Sequence, residues 1–123
     1  MVTEVRAAGV PVLDRAELQA KIAAGAPFKL AMAASDFGFR AKHIPGSIHL
    51  ATHGETFASL DRNDDIVVYC SNIDCNASHA AIKALRERGY GQVSHYAGGL
   101  IDWENAGLPL EGDWAAAPSK GPA

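Results

Sequence analysis

Val67-Val68-Tyr69-Cys70-Ser71-Asn72-Ile73-Asp74-Cys75-Asn76-Ala77-Ser78 is the stretch on which the fold reading turns. Ile66 to Tyr69 sets four β-branched or aromatic residues in a row, as in a central strand covered on both faces. After a polar interval the period changes. Ala77, Ala80, Ala81, Ala84 and Leu85 recur at helical spacing, while Lys83, Arg86 and Glu87 take other positions, which predicts a helix from Asn76 to Arg88. Cys70 thus falls at the carboxyl end of a buried parallel strand and just ahead of a helix, the ligand position of open α/β sheets. Loop N–H groups and the helix dipole at such a place favour thiolate over thiol and stabilise an anion on the sulfur. Asn76 and Ser78 are both residue types that cap a helix start.

Outward from this stretch, strand-like and helix-like segments alternate, which argues for an α/β layered fold with parallel pairing. Val10 to Leu13 reads as a first strand. Asp14 caps a helix, with Glu17 completing a capping box, Leu18, Ile22 and Ala23 forming its apolar stripe and Gly25 ending it. Phe28 to Met32 is a buried strand, and Ser35 or Asp36 starts a short helical turn. The Pro45-Gly46 pair marks a tight turn before the extended piece Ser47 to Leu50. The polar run Asp61 to Asp65 leads into the Ile66 strand. Gln92 to Tyr96 is the final strand, followed by a Gly98-Gly99 turn and a helix from Leu100 to Ala106. The organisation expected is an N-terminal extension (1–9), one domain (10–111) and a flexible tail (112–123), the tail inferred from its Ala, Pro, Gly and Ser content.

The chain has 123 residues, 48% hydrophobic and 20% charged, which is ordinary globular usage and sets disorder and fibres aside. A formal net charge of −3 gives no electrostatic reason to expect nucleic acid or an anionic membrane. No apolar run reaches the roughly 20 residues of a membrane span. Met1 to Arg6 lacks the layout of a signal peptide. Two cysteines are too few for a disulfide scaffold, so a reducing cytoplasm is the expected compartment. A homodimer stays open.

Four pieces in order resemble the rhodanese family, in its single-domain form, across residues 10 to 111. They are His43-Ile44-Pro45-Gly46-Ser47, close to the family's His-Ile-Pro-Gly-Ala; Val67-Val68-Tyr69-Cys70, the strand ending in the active cysteine; Gly89-Tyr90, Val93 and Gly98-Gly99-Leu100-x-x-Trp103; and Ala106-Gly107-Leu108-Pro109. The resemblance implies a three-layer α/β/α fold around a central, mostly parallel five-stranded sheet. It also implies that Cys70 accepts sulfane sulfur from a donor, holds it as a persulfide and yields it to a thiophilic acceptor, with no metal or organic cofactor. This is nucleophilic covalent catalysis, one hard transfer split into two easier ones. Donor and acceptor would be a small-molecule or protein-bound sulfur source and a thiol.

The chain departs from the family in two places. Met32, Ala33 and Ala34 stand where most members have Asp-x-Arg. The loop is two residues longer than usual, and its binding candidates Ser71, Asn72, Ile73, Asp74, Cys75 and Asn76 include no cation. Thiosulfate would meet Asp74 rather than a positive partner, so weak use of thiosulfate is expected and a persulfide or protein-bound donor is favoured. Phosphatase relatives need Cys-x5-Arg, and the arginine is absent. Cys75, five residues after Cys70, can act as a resolving thiol or simply pack at a helix start. Five histidines at these spacings fit no common zinc pattern. His43 is expected to bond backbone near its turn, His79 to face solvent, and Trp103 to pack in the core. Trp114 is left without a role. Beside the sulfurtransferase reading stand a catalytically weak rhodanese-fold binding or regulatory module and a Cys70/Cys75 thiol redox protein.

Overall fold

The computed structural model describes residues 5–6, 10–25, 27–34, 36–50, 60–70 and 77–113. Among them six strands form one sheet, β1 (Val5–Arg6), β2 (Val10–Leu13), β3 (Lys29–Ala33), β4 (Ile48–Leu50), β5 (Ile66–Tyr69) and β6 (Val93–Tyr96). Their order across the sheet is β1-β2-β6-β5-β3-β4. β2 to β6 are mutually parallel, as the strand–helix alternation expects. The two-residue β1 adds an antiparallel edge from within the segment read as an extension, pairing Val5 with Pro11 and Arg6 with Val10.

β5 is central because it has neighbours on both sides: Val67 pairs with Leu30 of β3 and Ser94 of β6. All four of its residues are fully buried. Strand alternation divides the core in two. Ile66 and Val68 join Ala31, Ala33 and Val93 beneath α3 (Ala77–Glu87), whose Ala81, Ile82 and Leu85 close that layer. Val67 and Tyr69 join Leu30, Met32 and Tyr96 on the other face. There Leu18 of α1 (Arg15–Ala23), Phe39 of α2 (Asp36–Ala41) and Leu100 and Trp103 of α4 (Gly99–Asn105) pack on them. The result is the three-layer α/β/α arrangement.

Local chemistry sets the element ends. The Asp14 carboxylate accepts from Glu17 N–H and the Glu17 carboxylate from Asp14 N–H, each at 2.8 Å, which satisfies two orphan donors of α1. Of the apolar stripe expected on α1, Leu18 alone is buried. Ile22 and Ala23 face solvent, because this short helix meets the sheet along a narrow strip and its Lys21 reaches Asp65 at 2.6 Å. The polar run before β5 is a clamp at the amino ends of the strands: Asp64 holds Lys29 at 3.0 Å beside the Lys21–Asp65 pair. Its hydrogen bonds to the Asp61 backbone and to Lys29 keep the Asp64 carboxyl below the usual range.

Backbone contacts run past the expected end of the domain. His43 and Glu111 exchange backbone hydrogen bonds of 2.8 and 2.9 Å, and Asp113 N–H donates to the Arg40 carbonyl at 2.8 Å. Gly112 and Asp113, assigned by composition to a flexible tail, are therefore laid against the end of α2. Residues 114–123, including Trp114, lie outside the described residues.

Candidate active site

The residues around Cys70 are fixed from two directions, each by one of the sequence pieces singled out above. The first is the turn at Ile44 to Ser47. Tyr69, adjacent to Cys70, is fully buried, and its hydroxyl accepts from the Ile44 N–H at 2.9 Å. Ser47 Oγ donates to the Ile44 carbonyl at 2.6 Å, which leaves the Tyr69 hydroxyl to donate to Ser47 Oγ at 2.9 Å. The small hydroxylic residue after Pro45-Gly46 thus closes a ring of three hydrogen bonds onto the last residue of β5. Burial raises the Tyr69 hydroxyl to about 12, opposed in part by its bonds to Ser47 and Ile44.

The second is the Gly-Gly-Leu-x-x-Trp piece. The Leu100 N–H donates to the Cys70 carbonyl at 2.8 Å, tying the first turn of α4 to the residue after β5. Two glycines shape the start of α4. A Cβ on Gly98 would come within 2.8 Å of the Asp102 Cβ. Gly99 sits at φ +71°, in the left-handed region that costs other residues about 1–2 kcal/mol. Trp103, three residues after Leu100, is buried and donates its indole N–H to the Pro109 carbonyl at 2.8 Å, which anchors the far side of the turn. Asp102 accepts from Tyr96 at 2.6 Å and pairs with Arg15 at 2.8 Å. Burial foremost, then the bond to Asp102, raises the Tyr96 hydroxyl.

Cys70 itself is 2% exposed, and its sulfur is engaged in a disulfide rather than standing as the free thiolate expected. The chain contains one other cysteine, Cys75. Ser71, Asn72, Ile73, Asp74, Cys75 and Asn76 all lie outside the described residues.

At the head of α3 the structure corrects one expectation. Ser78 is no cap. It lies inside the helix, 1% exposed, with its Oγ 3.0 Å from His95 Nε2. The exposed His79 ring meets His95 edge-on at 5.0 Å. The sequence carried the signal for this pair: His95 shares strand parity with the buried Val93, and a polar side chain on a covered face requires a partner. His95 is level with Val68 in the β5–β6 register, two residues before Cys70.

Where the family carries Asp-x-Arg, apolar packing takes over: Met32 and Ala33 are buried, and Ala34 packs on the same cluster as Tyr69 and Tyr96. The histidines near this end of β3 serve structure. His43 Nδ1 donates to the Phe39 carbonyl at 2.8 Å, as its turn suggested, and His49 Nε2 to the Ala34 carbonyl at 2.7 Å. Both rings stack on Phe39, at 4.1 and 5.1 Å. Among the described residues no group of three metal-ligating side chains assembles.

The sequence profile of the rhodanese-like domain matches residues 14–106, most of the chain. The chain belongs to the rhodanese-like domain family. Among curated relatives, the thiosulfate sulfurtransferase GlpE of Actinobacillus succinogenes is 32% identical over 82 residues, 65% of this chain and 72% of that protein. Of solved structures, a Bacillus halodurans protein superposes with a TM-score of 0.77 over 90% of this chain and 83% of its own, at 22% identity. A rhodanese-like domain from Anabaena gives a TM-score of 0.74 at 26% identity, over 90% of this chain and 85% of that one. The rhodanese-like fold is therefore shared. No helix among the described residues is long and apolar enough to cross a membrane.

Proposed function

We propose that this rhodanese-like domain is a sulfurtransferase that carries sulfane sulfur on Cys70 as a persulfide and passes it to a thiol acceptor, in a cytoplasmic setting. The observation that carries the reading is the pinning of Cys70. Its carbonyl is held by the Leu100 N–H, and the preceding Tyr69 is held by the turn at Ile44 and Ser47. A nucleophile fixed in this way keeps its attack geometry from one half-reaction to the next. Kinship with a thiosulfate sulfurtransferase supports the same class of chemistry.

The donor is a persulfide or a protein-bound sulfane sulfur rather than thiosulfate. No lysine or arginine occurs between Cys70 and Lys83, and Asp74 lies in the loop. A dianionic donor lacks the charge-assisted bonds that ordinarily repay its desolvation. The apolar filling at Met32 and Ala33 argues that the missing Asp-x-Arg pair has been replaced by packing, which favours an active domain over a drifted binding module.

Steady-state sulfur transfer to a thiol acceptor from thiosulfate, 3-mercaptopyruvate and glutathione persulfide tests this. Turnover should be fastest with the persulfide, at least tenfold slower with thiosulfate, and lost with every donor in Cys70→Ser. Thiosulfate as the best donor would overturn the donor assignment, and Cys70→Ser at wild-type rate would overturn the mechanism.

A further inference from the structure

Asp102 lies in the first turn of α4, and its carboxylate reaches two other elements. Oδ2 accepts from the hydroxyl of the buried Tyr96 at the end of β6 at 2.6 Å, and Oδ1 pairs with Arg15 at the head of α1 at 2.8 Å. We infer that Asp102 is a positioning residue for Cys70: through Tyr96 and Arg15 it fixes the turn at 97–98, and with it the Leu100 N–H that holds the Cys70 carbonyl. This names a further residue on which sulfur transfer depends, and it rests on the Cys70 persulfide proposed above.

Three observations support it. First, α4 has no side-chain cap, since Gly98 stands at its N-cap. The Leu100 N–H, an orphan donor of the first turn, takes the Cys70 carbonyl as its acceptor, so whatever moves the head of α4 moves the backbone of Cys70. Second, the Asp102 side chain lies against the turn. A Cβ built on Gly98 would come within 2.8 Å of the Asp102 Cβ and 2.9 Å of its Cγ and Oδ2. At this contact the turn cannot shift without displacing the carboxylate from its two partners. Third, those partners belong to neighbouring strand ends. Tyr96 is paired with Leu13 in the β2–β6 register, Arg15 follows soon after Leu13, and β6 lies beside β5. Asp102 thus joins the carboxyl ends of β2 and β6 to the helix that is bonded to the residue after β5.

Stability alone accounts poorly for this arrangement. Arg15 and Asp102 are both half-buried, and ion pairs this open to solvent add little to folding. A buried tyrosine hydroxyl needs a partner, but a carbonyl or a water serves as well as a carboxylate. A carboxylate carried on the first turn of α4 does more, because it makes the acceptor of Tyr96 and the donor to Cys70 parts of one turn. Misplacement of a reacting group by ~1 Å costs up to ~10²-fold in rate.

The test uses the reduced full chain and reads two quantities. One is steady-state sulfur transfer from glutathione persulfide to a thiol. The other is hydrogen exchange of the Leu100 amide followed by NMR, which does not depend on sulfur chemistry. Asp102→Ala should lower kcat about tenfold while KM stays within about twofold of wild type. Exchange at Leu100 should quicken about tenfold, with Val67 and Val68 of β5 keeping their protection. Asp102→Asn retains an acceptor for Tyr96 and should recover kcat to within about threefold of wild type. Tyr96→Phe keeps Asp102 and removes its buried partner, so it probes the same link should Asp102→Ala fold poorly, and it should lower kcat by about threefold or more.

Asp102→Ala with wild-type kcat and wild-type exchange at Leu100, whatever its melting temperature, would overturn the inference. So would Asp102→Asn as slow as Asp102→Ala, Tyr96→Phe at the wild-type rate, or a loss of protection spread evenly over β5, which would mark a merely structural role. A wild type that transfers no sulfur would remove the persulfide reading, and exchange at Leu100 would still decide whether Asp102 holds the bond to Cys70.

Discussion

Tyr69→Phe deletes one oxygen and leaves the buried Ile44 N–H without its acceptor. A buried donor orphaned in this way costs about 1–3 kcal/mol, so the midpoint of urea unfolding should fall while the slope holds. An unchanged midpoint would mean that the turn at Ile44 docks on β5 by shape alone. The same hydroxyl gives a pH signature. Its folded value is raised to about 12 by burial, while the unfolded chain releases that proton near the ordinary tyrosine value. The unfolded state therefore binds fewer protons above pH ~10. Tyr69 contributes fully below that pH, and its contribution is lost as pH rises towards 12. Stability measured across this window should fall less steeply in Tyr69→Phe than in wild type, with Tyr96, also raised, adding a slope of its own in both. Equal slopes would contradict the assignment. At this scale the sequence reading was uneven. Cys70 stood out because a cysteine at a strand end is chemically conspicuous. The partners of Tyr69 and His95 did not, since they lie 22 to 25 and 17 residues away along the chain and only the folded sheet brings them together.

Among the elements, the join between β5 and α4 bears most on Cys70. Gly99→Ala forces a Cβ onto a backbone at φ +71°, at a cost of about 1–2 kcal/mol. Relief of that strain would draw the Leu100 N–H away from the Cys70 carbonyl. Thermal unfolding should drop by several degrees, and the sulfur-transfer rate should fall by more than the small loss of folded protein accounts for. A variant with lowered stability and wild-type turnover would show that the Leu100 bond serves the fold and not the cysteine. Elements whose signal is local were legible in the sequence, such as the capping box at Asp14 and the β-branched run of β5. The narrow contact strip of α1 was not, because periodicity reports which residues are apolar and not how far the sheet extends beneath them. Ser78 misled for a related reason: a hydroxyl residue near a helix start suits a cap, yet His95 on the facing strand claimed it.

For the molecule as a whole, the order of motifs along the chain sufficed to read a three-layer fold with parallel pairing, because each motif is a junction between layers. Composition was a poorer guide to where the domain ends. Glycine at 112 suits a tail equally well as a close approach, and only the backbone bonds to His43 and Arg40 decide between them. Chains ending at Leu110 and at Asp113 should therefore differ in stability. The shorter one lacks three backbone hydrogen bonds, worth about 1.5–4.5 kcal/mol together at the usual net value of each. Identical denaturation curves would end the stabilising part of the domain at Leu110.

All of the proposed chemistry depends on sulfur carried by one atom, Sγ of Cys70, and intact mass reads this directly. Cys75→Ser, fully reduced and freed of reductant, is incubated with glutathione persulfide beside the Cys70→Ser/Cys75→Ser double variant. Gain of a single sulfur in the first protein and none in the second is the expected result. Equal gain in both, or gain in neither while the Cys70 thiol stays alkylatable, would contradict a Cys70 persulfide.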